Sequence, residues 1–304
     1  MNYFLTLILL LPLSTAAQVL IITHNYNRPD FIELQDKAFK KFLKDDYRFV
    51  VFNDATNKDM RKQINDTCKK LNLECIRIPQ EIHSRPYLPR EPHESINTSM
   101  RHAHAVQYSL DVLGFDHNGI VFIIDADIVL IRPFSIEKYM KDKDIASRIF
   151  RPHNKAYYCS PVLCILNMNN LPNKKTLNFN CGPINGTSGD TGAWSYYYLK
   201  NHPELNVVPV SVLYSHQLFL ADRHINKAAD LAISEDVKSS FYAHAGFNNT
   251  EIKFLLNQPD TFEFYLDNNF LHYRGGSNHT KDSQQYHDRK FEIFSEFFND
   301  ILGA

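Results

Sequence analysis

The feature that most constrains the fold of this sequence is a repeated order of apolar strand and amphipathic helix in its first half. The strands are the short apolar runs 19–23, 48–52 and 120–124. After the first run, apolar residues recur at the spacing of one helix face between Phe31 and Phe42. Strands that are apolar throughout are typical of a parallel sheet covered by helices on both faces. The sequence therefore predicts an α/β fold with a mixed, mostly parallel sheet flanked by helices.

The rest of the chain continues with less regular elements. The other predicted helices cover 57–71, 98–114, 190–201 and 283–302, and the other predicted strands cover 74–78, 161–168, 206–212 and 264–273. We find no internal repeat, low-complexity linker or clean domain boundary, so the sequence predicts a single domain over 18–304.

The first 17 residues differ in character from the rest of the chain. An apolar run over 4–13 precedes a group of small residues that includes Ala16 and Ala17, which is the pattern of a cleaved secretory signal. An uncleaved membrane anchor and a buried N-terminal strand are the alternatives. No later segment is long and apolar enough to span a bilayer. We therefore expect an exported chain, or one in the secretory pathway, whose mature form starts near Gln18 and has no stable transmembrane segment.

Composition excludes several classes of protein. The chain is 44% hydrophobic and 22% charged, which is the composition of a globular protein rather than of a disordered one. Its 33 Lys and Arg residues balance 34 Asp and Glu residues, for a formal charge of -1. A protein that binds nucleic acid through a broad phosphate footprint needs an excess of basic residues. We therefore expect no nucleic-acid partner.

The cysteines and the glycosylation sequons depend on the compartment. The sequence has five cysteines and no Cys-x-x-Cys pair, so a zinc ribbon is not indicated. In an oxidising compartment Cys68 could bridge to Cys75, and two of Cys159, Cys164 and Cys181 could pair. If the host glycosylates exported proteins, the chain is expected to be a glycoprotein. Its sequons begin at Asn65, Asn97, Asn185, Asn248 and Asn278.

Polar residues follow three of the apolar strands, at 24–28, 53–54 and 125–127. In open parallel sheets, ligands bind beyond the carboxyl ends of the strands, so these residues are expected to meet at one site. Asp125 and Asp127 are separated by one small residue, and alternation along a strand would place both on one face. Two carboxylates this close repel each other unless a cation lies between them. The pair therefore indicates a hard divalent metal; two solvated acids are the alternative.

The segment 120–134 resembles the Asp-x-Asp region of nucleotide-sugar-dependent glycosyltransferases of the GT-A fold. Segments 22–34 and 50–55 are similar to the first two strands of that fold and their exits. Segment 189–199 is similar to the region that supplies an acid near donor or acceptor, and 271–279 resembles the C-terminal element with a metal-binding histidine. The motifs occur in the family's order over most of residues 18–280.

The resemblance implies a GT-A-like, Rossmann-type sheet and assigns roles to residues. It implies a metal site of Asp125, Asp127 and His272 that holds Mn²⁺ or Mg²⁺, and Asp190 as the catalytic acid. It also implies a nucleotide-binding half at 18–134 and an acceptor half at 135–304. The implied nucleotide- and donor-binding residues are Thr23, Asn25, Arg28, Asp54, Arg101, Asp125, Arg274, Gly276 and Asn278, with Asp54 at the nucleobase.

Plainer interpretations of the same residues stay open at this point. His272 could be a hydrogen-bonded core residue, and Asp190 could be a helix N-cap. Arg28, Arg101 and Arg274 could be ordinary surface charges.

The activity that the resemblance implies is transfer of a hexose-type sugar from a nucleoside diphosphate sugar, with a UDP-sugar favoured. The acceptor would be a hydroxyl of a glycan, protein or lipid. Retention is favoured, because the C-terminal histidine element is more similar to that of retaining members.

Two other functions compete with this interpretation. A phosphatase of the haloacid-dehalogenase type also has Asp-x-Asp after an apolar strand, but Ser195 stands where its second acid belongs. The other alternative is a secreted sugar-binding protein without turnover. Intact Asp125, Asp127 and His272 argue against that alternative.

Overall fold

The computed structural model describes residues 18–84, 98–152, 156–214, 235–244, 246–257, 263–276 and 284–303. The predicted signal sequence at 1–17, the predicted binding residue Asn278 and the sequon at Asn97 lie outside this set. Among the described helices, none combines the length and the apolar character needed to cross a membrane.

The strands of the described residues form two sheets and a small hairpin. In chain order they are β1 (Val19–Asn25), β2 (Tyr47–Asn53), β3 (Glu74–Arg77), β4 (Ile120–Asp125), β5 (Ile128–Leu130), β6 (Ile145–Phe150), β7 (Tyr158–Asn167), β8 (Gly182–Ile184), β9 (Thr187–Gly189), β10 (Val207–Pro209), β11 (Val212–Tyr214), β12 (Glu263–Tyr265) and β13 (Phe270–His272). The helices are α1 (Pro29–Phe42), α2 (Lys58–Leu71), α3 (Thr98–Ser109), α4 (Ile136–Met140), α5 (Ser195–Asn201), α6 (Glu235–His244), α7 (Asn249–Asn257) and α8 (Gln284–Leu302).

The main sheet has seven strands in the order β10-β6-β7-β4-β1-β2-β3. All its neighbouring pairs are parallel except those of β7, which runs antiparallel to both β4 and β6. Successive residues of β1 pack on opposite faces: Ile21 belongs to one apolar cluster, and Leu20 and Ile22 belong to the other. The predicted class, an α/β fold with a mostly parallel mixed sheet between helices, is confirmed.

Helices α1, α2 and α3 lie where the sequence predicts helices, and α2 shows local signals at both ends. The Asn57 side chain caps α2 by accepting hydrogen bonds from the backbone N–H groups of Asp59 and Met60. Asn72 ends that helix in the left-handed conformation, with φ of 57°. Helix α3 continues into a π-helical turn that ends at Gly114.

The second, four-stranded sheet has the order β11-β12-β13-β5 and carries part of the site. The single strand predicted over 264–273 is instead the hairpin of β12 and β13. Leu266, Asp267 and Asn268 all have positive φ in its turn, a geometry that apolar periodicity does not encode. The strand predicted over 206–212 is likewise divided into β10 and β11, which belong to different sheets. The sequence analysis missed β5 and β6.

All five cysteines are free thiols, so neither of the disulfides considered from the sequence is present in this structure.

Candidate active site

A cleft of about 410 Å³ opens at the carboxyl ends of β1 and β4. Most of the residues that the sequence assigned to the site line this cleft. They are Asn25, Arg28, Asp54, Arg101, Asp125, Asp127, Asp190, His272 and Gly276. Thr23 is fully buried in the sheet and does not line the cleft, and neither does Arg274. The structure therefore brings together residues that are up to about 250 positions apart in the chain.

The two aspartates reach the cleft through a turn. Asp125 is the last residue of β4, and Ala126 and Asp127 form the turn that leads to β5, so the two acids do not share one extended strand as predicted. The buried Gln35 of α1 fixes this turn, because its amide donates to the backbone oxygens of Asp125 and Ile128, at 2.9 Å each. Nothing in the spacing of the sequence singled out Gln35.

His272, the last residue of β13, is the third member of the cluster. One ligand atom from each of Asp125, Asp127 and His272 can be chosen so that all three lie within 4.8 Å of one another. His272 Nε2 is 3.3 Å from Asp127 Oδ1. Burial works against charge on the imidazole, but the carboxylates of Asp127 and Glu263 outweigh it and raise the pKa of His272 to about 9. His272 is thus a largely buried, hydrogen-bonded residue that also lines the cleft.

The negative charge on Asp127 is stabilised by its neighbours. Burial opposes that charge, but His272 and a hydrogen bond from the Gly276 backbone N–H lower the pKa of Asp127 to about 2. The distance from Gly276 N to Asp127 Oδ2 is 2.9 Å. A Cβ at position 276 would lie 2.6 Å from the Asp127 Cβ, so only glycine fits at this close approach.

The cluster fits a hard divalent cation. Two carboxylates and one imidazole supply two oxygen donors and one nitrogen donor, a set that suits Mn²⁺ or Mg²⁺. Opposite ligands of such an ion are about 4 Å apart, so a set of donor atoms within 4.8 Å needs only a small contraction.

His102 is a site residue that the sequence analysis missed. Its Nε2 lies 3.1 Å from Asp125 Oδ1, on the face of α3 that lines the cleft. Burial lowers the pKa of His102, but Asp125, Asp190 and Asp127 together raise it above the ordinary value. The sequence did offer one signal for His102: it directly follows Arg101. Neighbouring residues at one end of a helix can reach the same cleft.

At the other end of the cleft, Asp54 holds Arg101. Asp54 is 4% exposed, and its Oδ2 lies 2.7 Å from Arg101 Nε. Its Oδ1 accepts hydrogen bonds from Arg101 and Gln80 and lies 2.8 Å from His83 Nε2. Arg101 also packs over the Tyr26 ring, at 4.9 Å from the ring centroid. Arg101 is therefore not an ordinary surface charge. The main role of Asp54 at the cleft is to hold the Arg101 side chain in place.

Arg28 connects the first loop to the C-terminal turn. It forms an ion pair with Asp30 at 2.6 Å and donates a hydrogen bond to the Gly276 backbone oxygen at 2.9 Å. Its guanidinium lies 4.5 Å from the centroid of the Phe31 ring. The side chain is only 13% exposed, so its interpretation as a surface charge is wrong as well. Arg274, by contrast, is 46% exposed and has a φ of 58°.

Asp190 faces the cleft from a turn before α5. It is exposed, and its Oδ1 accepts a hydrogen bond from the Thr191 backbone N–H at 2.7 Å. Its own N–H donates to the Tyr158 hydroxyl at 3.1 Å. Helix α5 starts at Ser195, five residues after Asp190 and not at it as predicted, so Asp190 is not the N-cap of that helix.

Comparison with known proteins gives matches among solved structures only. No known family model and no curated protein matches the chain. A mannosyltransferase from Pyrobaculum calidifontis, solved with GDP-mannose and Mn²⁺, is 14% identical with a TM-score of 0.39; the match covers 64% of this chain and 54% of that chain. A galactosyltransferase solved with donor and acceptor sugar analogues is 11% identical with a TM-score of 0.37, over 68% of this chain and 80% of that one.

A third match is glucosyl-3-phosphoglycerate synthase from Mycobacterium tuberculosis, solved with Mn²⁺, UDP and glucosyl-3-phosphoglycerate. It is 9% identical with a TM-score of 0.36, over 64% of this chain and 69% of that chain. This chain spans only about half of the mannosyltransferase, and similarity at this level says nothing about its activity.

Proposed function

We propose that this chain is a metal-dependent glycosyltransferase that moves a hexose-type sugar from a nucleoside diphosphate sugar to an acceptor hydroxyl. One observation carries the proposal. The carboxyl edge of a parallel sheet gathers Asp125, Asp127 and His272 within one cleft, and that cleft also contains Asp190. A cleft of about 410 Å³ is in the range of small-ligand sites, which span about 300–1,000 Å³.

The difficult step in such a transfer is departure of the diphosphate while the anomeric carbon gains positive charge. A divalent cation at the site would supply a Lewis acid for the leaving phosphates. Asp125, Asp127 and His272 would hold it, and this mixed oxygen and nitrogen set favours Mn²⁺ over Mg²⁺. Gly276 keeps the Asp127 carboxylate in place by donating its N–H to it, and Arg28 holds Gly276 by donating to its backbone oxygen.

The nucleotide belongs at the other end of the cleft in this proposal, with a UDP-sugar as the favoured donor. The Tyr26 ring and the Arg101 guanidinium packed on it offer a flat surface and a positive charge there. Asp54 contributes by fixing Arg101 through two hydrogen bonds and an ion pair. Asn25 holds the backbone of the loop, since its amide oxygen accepts a hydrogen bond from the Arg28 N–H.

Asp190 is the proposed catalytic residue. Among the described residues, only Thr191 donates a hydrogen bond to its carboxylate, and only to Oδ1. Oδ2 can therefore accept a hydrogen bond from a sugar or acceptor hydroxyl in the cleft. Retention of configuration remains part of the proposal on the strength of the sequence resemblance, as do a glycan, protein or lipid acceptor and export of the chain.

The test is the release of free nucleotide (UDP, GDP or CMP) from a panel of UDP-, GDP- and CMP-linked sugars, with Mn²⁺ or with a chelator. Metal-dependent release from one donor class that is lost in Asp190→Asn supports the proposal. The anomeric configuration of the product, read by proton NMR, decides retention. Release of phosphate from a simple phosphomonoester with Mg²⁺, and no response to any nucleotide sugar, would instead indicate the phosphatase.

A further inference from the structure

Glu263 is a buried carboxylate that none of the motifs in the sequence singled out. It is the first residue of β12 and only 2% exposed. A buried carboxylate is costly unless charged or hydrogen-bonding partners surround it. Here three partners surround the carboxylate: it forms an ion pair with Arg148, accepts a hydrogen bond from the Tyr265 hydroxyl and lies next to the His272 imidazole. The sheet thus maintains a negative charge next to the cleft.

The register of the second sheet places this charge directly behind the candidate metal ligand. Glu263 is paired with His272 across the hairpin of β12 and β13, and His272 is paired in turn with Ile128 of β5. Asp127 immediately precedes Ile128. Glu263 and His272 therefore lie side by side across the hairpin, and Asp127, in the turn that leads to β5, continues this row on the other side of His272. A slip of one residue would turn His272 to the other face of the sheet.

The side-chain contacts follow this row. Glu263 Oε2 is 2.8 Å from His272 Nδ1, while His272 Nε2 points to Asp127 Oδ1 at 3.3 Å. The same Glu263 oxygen accepts hydrogen bonds from the Tyr265 hydroxyl at 2.5 Å and from Arg148 Nη1 at 3.1 Å. The pairing of β6 and β7 shifts register between Ser147 and Arg148, next to this contact.

This arrangement has a chemical consequence for an imidazole ligand. A carboxylate that accepts the Nδ1 proton keeps that proton on Nδ1 and leaves the Nε2 lone pair free for a cation. It also fixes the plane of the ring and makes Nε2 more basic. An acid that served only to neutralise Arg148 would not need a hydrogen bond to His272.

We propose that Glu263 is a positioning residue for the metal centre, which holds His272 in the Nδ1-protonated tautomer with Nε2 directed at the cation. The proposal rests on the metal site of the proposed function. Outer carboxylates of this kind change metal affinity by about 10–100-fold when they are removed. Glu263 would act through His272 without touching the cation.

The experiment compares Glu263→Gln with a matched control, Glu251→Gln. Glu251 is also 2% exposed and forms an ion pair with an arginine, Arg132, at 2.5 Å. Both substitutions remove a buried carboxylate paired with an arginine, so both are expected to lower the melting temperature. Mn²⁺ affinity is measured by electron paramagnetic resonance titration of each purified protein. We expect Glu263→Gln to weaken Mn²⁺ binding by about 10–100-fold and Glu251→Gln to change it by less than about twofold.

A second measurement needs no variant and so does not depend on the folding of Glu263→Gln. Nitrogen-15 NMR of the wild-type chain loaded with diamagnetic Cd²⁺ reports the His272 tautomer. A protonated Nδ1 with Cd²⁺ on Nε2 supports the proposal, and Cd²⁺ on Nδ1 overturns it. Unchanged Mn²⁺ affinity in a folded Glu263→Gln overturns the positioning role alone. Failure of the wild-type chain to bind Mn²⁺ even with UDP present overturns both the positioning role and the proposed function.

Discussion

A proton on His272 and a cation at the site exclude each other, so metal affinity should depend steeply on pH. The pKa of His272 is raised to about 9, so only about one molecule in a hundred has a neutral imidazole at pH 7. Displacing the proton then costs about 3 kcal/mol of binding free energy at that pH. Below about pH 8 each pH unit changes the neutral fraction about tenfold, so the apparent Mn²⁺ affinity should rise about a hundredfold from about pH 6 to about pH 8.

Electron paramagnetic resonance titration of free Mn²⁺ at those two pH values measures this change directly. Calorimetry in two buffers of different ionisation enthalpy should show release of about one proton per metal ion. His272→Ala is the control, and it should bind Mn²⁺ weakly with a smaller dependence on pH, which comes from His102 beside Asp125. A wild-type change of less than about threefold would refute the reasoning, because a histidine with an ordinary pKa near 6.5 already gives a change of about that size.

The same pKa shifts set the stability of the metal-free protein. Folding raises the pKa of His272, so the charged imidazole stabilises the folded state. This stabilisation is fully present below about pH 6.5 and is lost as the pH rises through about 9. Folding lowers the pKa of Asp127 to about 2, so the charged carboxylate also stabilises the folded state. This stabilisation is present above about pH 3.8 and is lost as the pH falls through about 2. Saturating Mn²⁺ should therefore raise the melting temperature more at about pH 8 than at about pH 6.

Three substitutions test other parts of the site. Gly276→Ala places a Cβ 2.6 Å from the Asp127 Cβ and should therefore weaken Mn²⁺ binding at least about tenfold. The control is Gly186→Ala, where nothing lies within 4 Å of the added Cβ, and it should change only the melting temperature. Equal Mn²⁺ affinities of the two variants in calorimetry would contradict this prediction. Asp190→Asn should lower kcat by about 10²–10⁴-fold and leave the Kd values for donor and metal within about threefold of the wild-type values. A loss confined to donor affinity would argue against a catalytic role for Asp190. Asp54→Asn should weaken nucleotide binding and cost about 1.5–3 kcal/mol of stability, because the partly buried Arg101 loses its charged partner. Mn²⁺ affinity without nucleotide should stay unchanged.

The first half of the fold could be predicted because its signals are local. Strand β4 is apolar at every position before Asp125, and the cap at Asn57 and the left-handed Asn72 limit α2 within a few residues. The second half resisted prediction because its strands are short and its register depends on distant partners. Strand β5 has three residues and exists only because β13 pairs with it.

The residues of the site also divide into those with a local sequence signal and those whose role depends on distant contacts. Asp125 and Asp127 could be found because they end an apolar strand, and His272 could be found through its motif. Glu263 and Gln35 could not, since their roles arise from cross-strand pairing and from helix-to-turn contacts between residues far apart in the chain. His102 lies between these cases, next to an arginine that the sequence did single out.

The most direct test of the central claim is the melting temperature of the purified chain with UDP, with and without Mn²⁺, in the wild type and in Asp127→Ala. The account predicts that UDP raises the wild-type melting temperature only when Mn²⁺ is present. It also predicts no such rise in Asp127→Ala, whose fold should otherwise be intact. A rise that is equally large with chelator, or equally large in Asp127→Ala, would contradict the claim that Asp125, Asp127 and His272 bind a nucleotide through a metal ion.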